Sequence, residues 1–392
     1  MHKMKISTTT RDAMAVINRE TTGRLPFITR LETWYKSHQR TATLPERYAA
    51  LSLPELHREV GVGQLKFANP YAFKLKGVQV SIWLDGELVF QEYEPQVENF
   101  PGIWDLVSTE KAGSTVTEFA TSVGKLWLKH QLLEDNVVTG TDPILKEHLI
   151  KEQQDFRTVA YILERAEYVS LYDKCHRLQD ELGEIAWVVP LLHRIPFQQV
   201  LLEYLGETSL FYSLYDNLEL VDRLLVLLDD QLTDILFRLG DFDVPYVEFP
   251  DNLHGLMTNP RLFKKYCLPH YQKYTEIIHS QGKKVGSHMD GELKQLLGLI
   301  TETGLDVCES FSPFPLTGCS LEEARQAWQN GPMIWGGIPS TLLEDRTPQS
   351  EFEDSIDQIL DLVKEGPFIL GVVDLFMRHN SMERVRYIAT RL

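Results

Sequence analysis

From about residue 145 onward the chain alternates between short apolar runs and longer stretches whose apolar residues recur at helical spacing. The runs at 185–190, 244–249, 284–287, 305–311, 333–336 and 368–373 have the length and composition of buried strands. Between them, the spacing predicts helices over 197–205, 218–238, 260–281, 292–303, 320–329 and 350–364. Asn259 is placed to cap the 260–281 helix, and Ser320 with Glu323 has the spacing of a capping box. Strands and helices in this rhythm imply parallel βαβ units.

The first third is less regular. A short strand is expected at 25–31, and a helix at 45–60 with Pro45 in its first turn. Around Asp85-Gly86 the alternation of 78–93 reads as a hairpin. Together with 114–129 it suggests an antiparallel insertion at about 75–130 rather than part of a parallel sheet. A helix is expected from Asp142-Pro143 to about residue 165, and a further strand within 166–171. Counting that strand and 25–31 gives about eight, which favours an α/β fold of the (β/α)8 TIM-barrel type. The expectation is one domain over 1–392, carrying an N-terminal helical and β-hairpin insertion.

Composition narrows the possible partners. The 392 residues carry a net charge of -17, which argues against nucleic acid or an anionic membrane as a binding partner. Four cysteines without CxxC spacing suggest neither a zinc ribbon nor a disulfide framework. No apolar stretch approaches a membrane span, and the first residues lack the apolar core of a signal peptide, so a cytoplasmic, reduced setting is expected. The chain holds no GxGxxG, GxxxxGK[ST] or GxSxG pattern.

The chemistry-bearing residues gather at the ends of the expected strands, where a barrel places its active site. His288 and Asp290 lie two apart at one strand end and so leave it on the same face, with Gly291 permitting the exit. The 244–249 run delivers Glu248, followed by Asp251, Asn252 and His254. Cys308 and Glu309 alternate, so only one faces the mouth, and the last strand ends on Asp374. Each residue has an ordinary role open to it. Asp290 can cap a following helix, Cys308 can be a buried small apolar residue, and His254 can bond a loop carbonyl. As a set, converging acids need something positive among them. Either a divalent metal held by imidazole and carboxylates, or carboxylates acting as acid, base or orienter, would answer that need.

The run 260–313, with His288-Met289-Asp290-Gly291 near its centre, resembles the uroporphyrinogen decarboxylase superfamily. That superfamily includes the zinc-dependent, corrinoid-linked methyltransferases. The likeness extends from Gly23-Arg24-Leu25-Pro26 to Met382-Glu383-Arg384-Val385 and implies a (β/α)8 barrel. Only Arg24 and Arg30 stand where the decarboxylases have an arginine-rich, carboxylate-binding loop. In the methyltransferases zinc is held by a His-x-Cys-Gly motif and a cysteine after the last strand. His288 matches that histidine, while Asp290 and Asp374 replace the two cysteines.

A nitrogen–oxygen site suits an oxygen substrate better than a thiolate. The resemblance therefore implies a methyltransferase that takes a methyl group from a small, aromatic methyl ether and gives it to a separate corrinoid carrier protein. Zinc would be bound by His288 with some of Glu248, Glu309 and Asp374, and Asp290, Asp251 and His254 would orient ligands or move the proton. Trp34, Tyr212 and Tyr215 are candidates to wall an aromatic substrate. The alternatives are a metal-free decarboxylase of another carboxylate-bearing substrate and a non-catalytic binding barrel.

Overall fold

The structure is a computed structural model that describes residues 6–20, 25–102, 111–364, 366–373 and 375–392. It divides into two compact units. The first comprises Met1–Ala68, Asp173–Leu192 and Gly240–Leu392; the second comprises Asn69–Tyr172 and His193–Leu239.

The first unit is a mixed α/β assembly of parallel strands. These are β1 (Ile28–Thr29), β2 (Gly63–Ala68), β3 (Ala186–Pro190), β4 (Tyr246–Phe249), β5 (Lys284–His288), β6 (Val307–Phe311), β7 (Met333–Pro339) and β8 (Phe368–Val373). They form one sheet in the order β1-β2-β3 and another in the order β4-β5-β6-β7-β8. Single parallel bridges, Leu191 to Glu248 and Phe27 to Leu370, link the two sheets at both margins. Inward side chains from both sheets share one core, with Leu65, Trp187 and Val189 packing with Tyr246, Val307, Met333 and Ile369. Trp187 lies flat against Trp335, ring centroids 5.2 Å apart and planes 2° from parallel. This wide indole pair fills the middle of the unit, so polar side chains on the same inward rows can only be accommodated at the strand ends.

β7 runs three residues beyond the expected 333–336. Gly336 and Gly337 have φ values of 139° and 87°, and a Cβ at Gly336 would come within 2.8 Å of the Phe311 carbonyl oxygen. Only glycine lets the strand continue this close to β6.

The second unit is largely antiparallel. Its five-stranded sheet runs Glu87–Tyr93, Gln79–Leu84, Gly113–Ala120, Lys125–Leu132, Ile144–Glu147 in spatial order. The expected hairpin turns at Asp85 and Gly86, whose φ values of 49° and 89° are those of a two-residue turn matched to strand twist. A smaller sheet pairs Ala166–Ser170 and Gln96–Val97 with Tyr71–Leu75.

Several expectations need correction. Residues 166–170 do form a strand, but it is antiparallel and belongs to the second unit. The missing parallel strand is β2, between β1 and β3. The expected helix from Asp142 to 165 is instead an edge strand, Ile144–Glu147, followed by a helix at Asp155–Leu163. The 45–60 helix is split, because Ser52 and Glu55 form a capping box that starts a new helix, Leu53–Val60. The 292–303 helix is shortened to Leu297–Thr301, since the Glu292 carboxylate instead accepts from the backbone of Lys294 and Gly318. As expected, Asn259 caps its helix and Ser320 with Glu323 closes a capping box.

Candidate metal centre

Three adjacent strands deliver the site. β4 presents Tyr246 and then Glu248 on one face, two residues apart. Glu248 lies level with Gly286 on β5, and His288, two residues further, lies level with Glu309 on β6. One ligand atom from each of Glu248, His288 and Glu309 falls within 4.8 Å of the others, a spacing that could hold a metal ion. Ser310 follows Glu309 with a φ of 59°, and the β6–β7 register shifts there. This bulge ends regular pairing just where the carboxylate is offered.

Hydrogen bonds fix each group. The Tyr246 hydroxyl donates to Glu248 Oε2 at 2.8 Å. His288 Nδ1 is hydrogen-bonded to Glu309 Oε2, and His288 Nε2 is 3.5 Å from Asp290 Oδ2. Asn252, in the left-handed region at φ 47°, donates from Nδ2 to the same Asp290 oxygen at 3.0 Å. Asp290 is thus spent on the imidazole rather than on capping a helix. Glu248 Oε1 is buried and has no hydrogen-bond partner among the described residues.

The electrostatics follow from this packing. Burial, reinforced by the nearby charge of Glu309, pushes the Glu248 carboxyl well above the usual carboxylate range, against opposing pulls from His288, the Tyr246 hydrogen bond and Arg30. For His288, burial alone would lower the pKa. The charge of Glu309 and hydrogen bonds to Asp290 and Glu309 outweigh it and raise the value to about 10. Burial would raise Asp290, but its bonds to His288 and Asn252 hold it down at about 2. Without metal the centre therefore holds an imidazolium between carboxylates, beside a Glu248 carboxyl that burial pushes toward its neutral form.

That ion pair has a defined pH signature. His288 rises from 6.5 to about 10, so its contribution to stability is complete below pH 6.5 and is lost as pH rises through about 10. Asp290 falls from 3.8 to about 2, so its contribution is complete above pH 3.8 and is lost as pH falls through about 2. In metal-free protein the Tm gap between wild type and Asp290→Asn should be widest between these limits and narrow on both sides. A gap independent of pH would contradict the pairing.

The other expected residues lie elsewhere. Asp251 is buried and accepts from Tyr271 at 2.6 Å and from Ser287 at 2.8 Å. Ser287 alternates with His288, so Asp251 braces β5 from the face opposite the imidazole. His254 is half-buried in the following loop, its Nδ1 accepting from the Leu256 backbone at 3.3 Å. Cys308 is buried, and burial pushes its thiol up. Asp374 and Arg24 lie outside the described residues. Trp34 is buried with its indole N–H on the Asn380 carbonyl oxygen, while Tyr212 and Tyr215 are 69% and 90% exposed on a helix of the second unit.

Sequence reasoning missed Tyr246 and Gly286, and it placed Asn252 in the loop after β4 without giving it a role. The first two carried a readable signal, since Tyr-x-Glu and Gly-x-His place each beneath a site residue on the same strand face. Arg30, at the end of β1, has its guanidinium 5.5 Å from the centre of the Phe67 ring.

The family profile of uroporphyrinogen decarboxylase (URO-D) matches residues 136–373, which include Glu248, His288 and Glu309. The chain belongs to the URO-D family. Among solved structures, a methyltransferase from Methanosarcina mazei is similar over 98% of this chain and 98% of its own, with a TM-score of 0.55 and 10% identity. That likeness shows a shared fold alone. A Listeria monocytogenes protein assigned as a vitamin-B12 independent methionine synthase matches 56% of this chain and 67% of its own, at a TM-score of 0.31 and 12% identity. No curated protein matches the sequence. No described helix of this URO-D family member is long and apolar enough to cross a membrane.

Proposed function

We propose that this protein is a methyltransferase that moves a methyl group from a small, oxygen-bonded donor to the cobalt of a separate corrinoid carrier protein. In this reading the eight parallel strands close into a (β/α)8 barrel, a reading supported by the bridges at both sheet margins. The observation that carries it is the meeting of Glu248, His288 and Glu309, one ligand atom from each within 4.8 Å of the others, with Glu248 Oε1 buried and without a hydrogen-bond partner among the described residues. A donor set of one imidazole and two carboxylates fits zinc with an open position. Zinc, when bound there, supplies a Lewis acid that stabilises negative charge on the departing oxygen.

The chain's own residues do the remaining work. Glu248, His288 and Glu309 would hold the ion, which leaves a fourth position for the oxygen of the donor. Asp290 and Asn252 fix the orientation of the imidazole, as outer partners of ligating histidines do. Asp251 keeps β5 in place through Ser287, and His254 exchanges the proton between the released oxygen and solvent. In the transfer, the carbon–oxygen bond of the ether breaks as the methyl carbon bonds to reduced cobalt, and the oxygen leaves with its electron pair.

The test mixes the protein with an aromatic methyl ether and a reduced corrinoid and follows the corrinoid spectrum. Methylation that stops after chelation supports the proposal; metal-independent CO2 release with no corrinoid change overturns it. That second outcome has its own support, because a Glu248 carboxyl pushed toward its neutral form beside the His288 imidazolium is also the equipment of a metal-free acid catalyst for decarboxylation.

A further inference from the structure

We infer that Tyr246 is a positioning residue for the metal centre, holding Glu248 so that a single carboxylate oxygen is presented to the ion. The inference rests on the metal-binding reading above and extends it to a residue outside the ligand set.

The Tyr246 ring is fully buried beneath the centre, 5.1 Å from Trp187, which is itself stacked on Trp335. Trp335 is anchored in turn by its indole N–H on the Ile28 carbonyl oxygen at 3.1 Å. The ring therefore cannot swing away, and its hydroxyl reaches into the slot over Gly286. A Cβ at that position would lie 1.9 Å from the hydroxyl oxygen. Glycine on β5 is thus the space that admits a tyrosine hydroxyl from β4. The hydroxyl spends its proton on Glu248 Oε2, leaving Oε1, which has no hydrogen-bond partner among the described residues, to face the ion. Glu248 then acts as a one-oxygen ligand, which suits four-coordinate zinc better than larger ions that take carboxylates through both oxygens. Removing the hydroxyl frees Oε2 while leaving the aromatic packing in place.

The test uses Tyr246→Phe in the full chain, with cobalt(II), zinc and manganese as probes. Loss of an outer partner of a metal ligand weakens binding about 10–100-fold, so the variant should lose affinity for zinc within that range. Its cobalt(II) absorption bands should shift, and its preference for zinc over manganese should fall. Gly286→Ala, which displaces the hydroxyl with the tyrosine retained, should reproduce the spectral shift. Wild-type affinity, selectivity and cobalt spectrum in Tyr246→Phe would overturn the inference while leaving the metal centre intact. A wild-type protein that binds none of the three ions would remove both together.

Discussion

His288→Ala is expected to abolish metal binding and methyl transfer, and also to make the stability of the folded protein strongly dependent on pH. The first effect follows from removing the nitrogen ligand, which should cost more than the roughly 100-fold upper bound for losing an outer partner. The second follows from charge. His288 is the only cation hydrogen-bonded within the described cluster, facing Glu309 and Asp290 with Glu248 behind them. Once it is gone, the acids face one another with only the pull of Arg30 on Glu248 to offset them, and stranding one such charge costs about 3–5 kcal/mol. They avoid this by taking up protons. Acids whose folded pKa values are raised stabilise the protein below their unfolded pKa, and that stability disappears as pH rises. The variant should therefore approach wild-type Tm near pH 5 and fall well below it by pH 8. A constant deficit across that range would show that His288 is not the counter-charge.

The second large effect is proton release on loading the metal. At pH 7 the metal-free centre carries a proton on His288, whose pKa is raised to about 10, while burial pushes the Glu248 carboxyl toward its protonated form. Ligands must be deprotonated to bind, so zinc should displace at least the His288 proton, and apparent affinity should rise at least roughly 10-fold per pH unit near neutrality. Calorimetric titrations in two buffers of different ionisation enthalpy measure the number directly. In Glu248→Gln any release beyond the His288 proton should disappear. Release near zero in the wild type would mean that the ion binds somewhere other than these residues.

Much of this centre can be read from the chain. The period of two along a strand puts His288 and Asp290 on one exit, and the acids Glu248 and Glu309 stand at the ends of neighbouring strands. Structure adds how the group is held. Nothing local explains why residue 286 is glycine, because the obstacle is the hydroxyl of Tyr246 on another strand. Nor does the spacing of Asp251 show that it faces Ser287 and Tyr271 rather than the imidazole, since loop direction decides this.

The fold was legible where strands are apolar on both faces and less so elsewhere. β2, read as Gly63-Gln64-Leu65-Lys66-Phe67-Ala68, mixes inward Leu65 and Phe67 with polar neighbours and escapes a search for continuous apolar runs. The run at 166–170 has strand composition, yet composition does not encode the direction of its partner. Ile144–Glu147 was mistaken for helix because four residues with alternating exposure are too few to separate period two from period 3.6.

The most direct test is an anomalous-scattering measurement at the zinc edge on crystals of the protein grown with zinc. The account expects one fully occupied peak bounded by Glu248, His288 and Glu309, absent in His288→Ala. No peak there in the wild type, or a peak ligated by other residues, would contradict it.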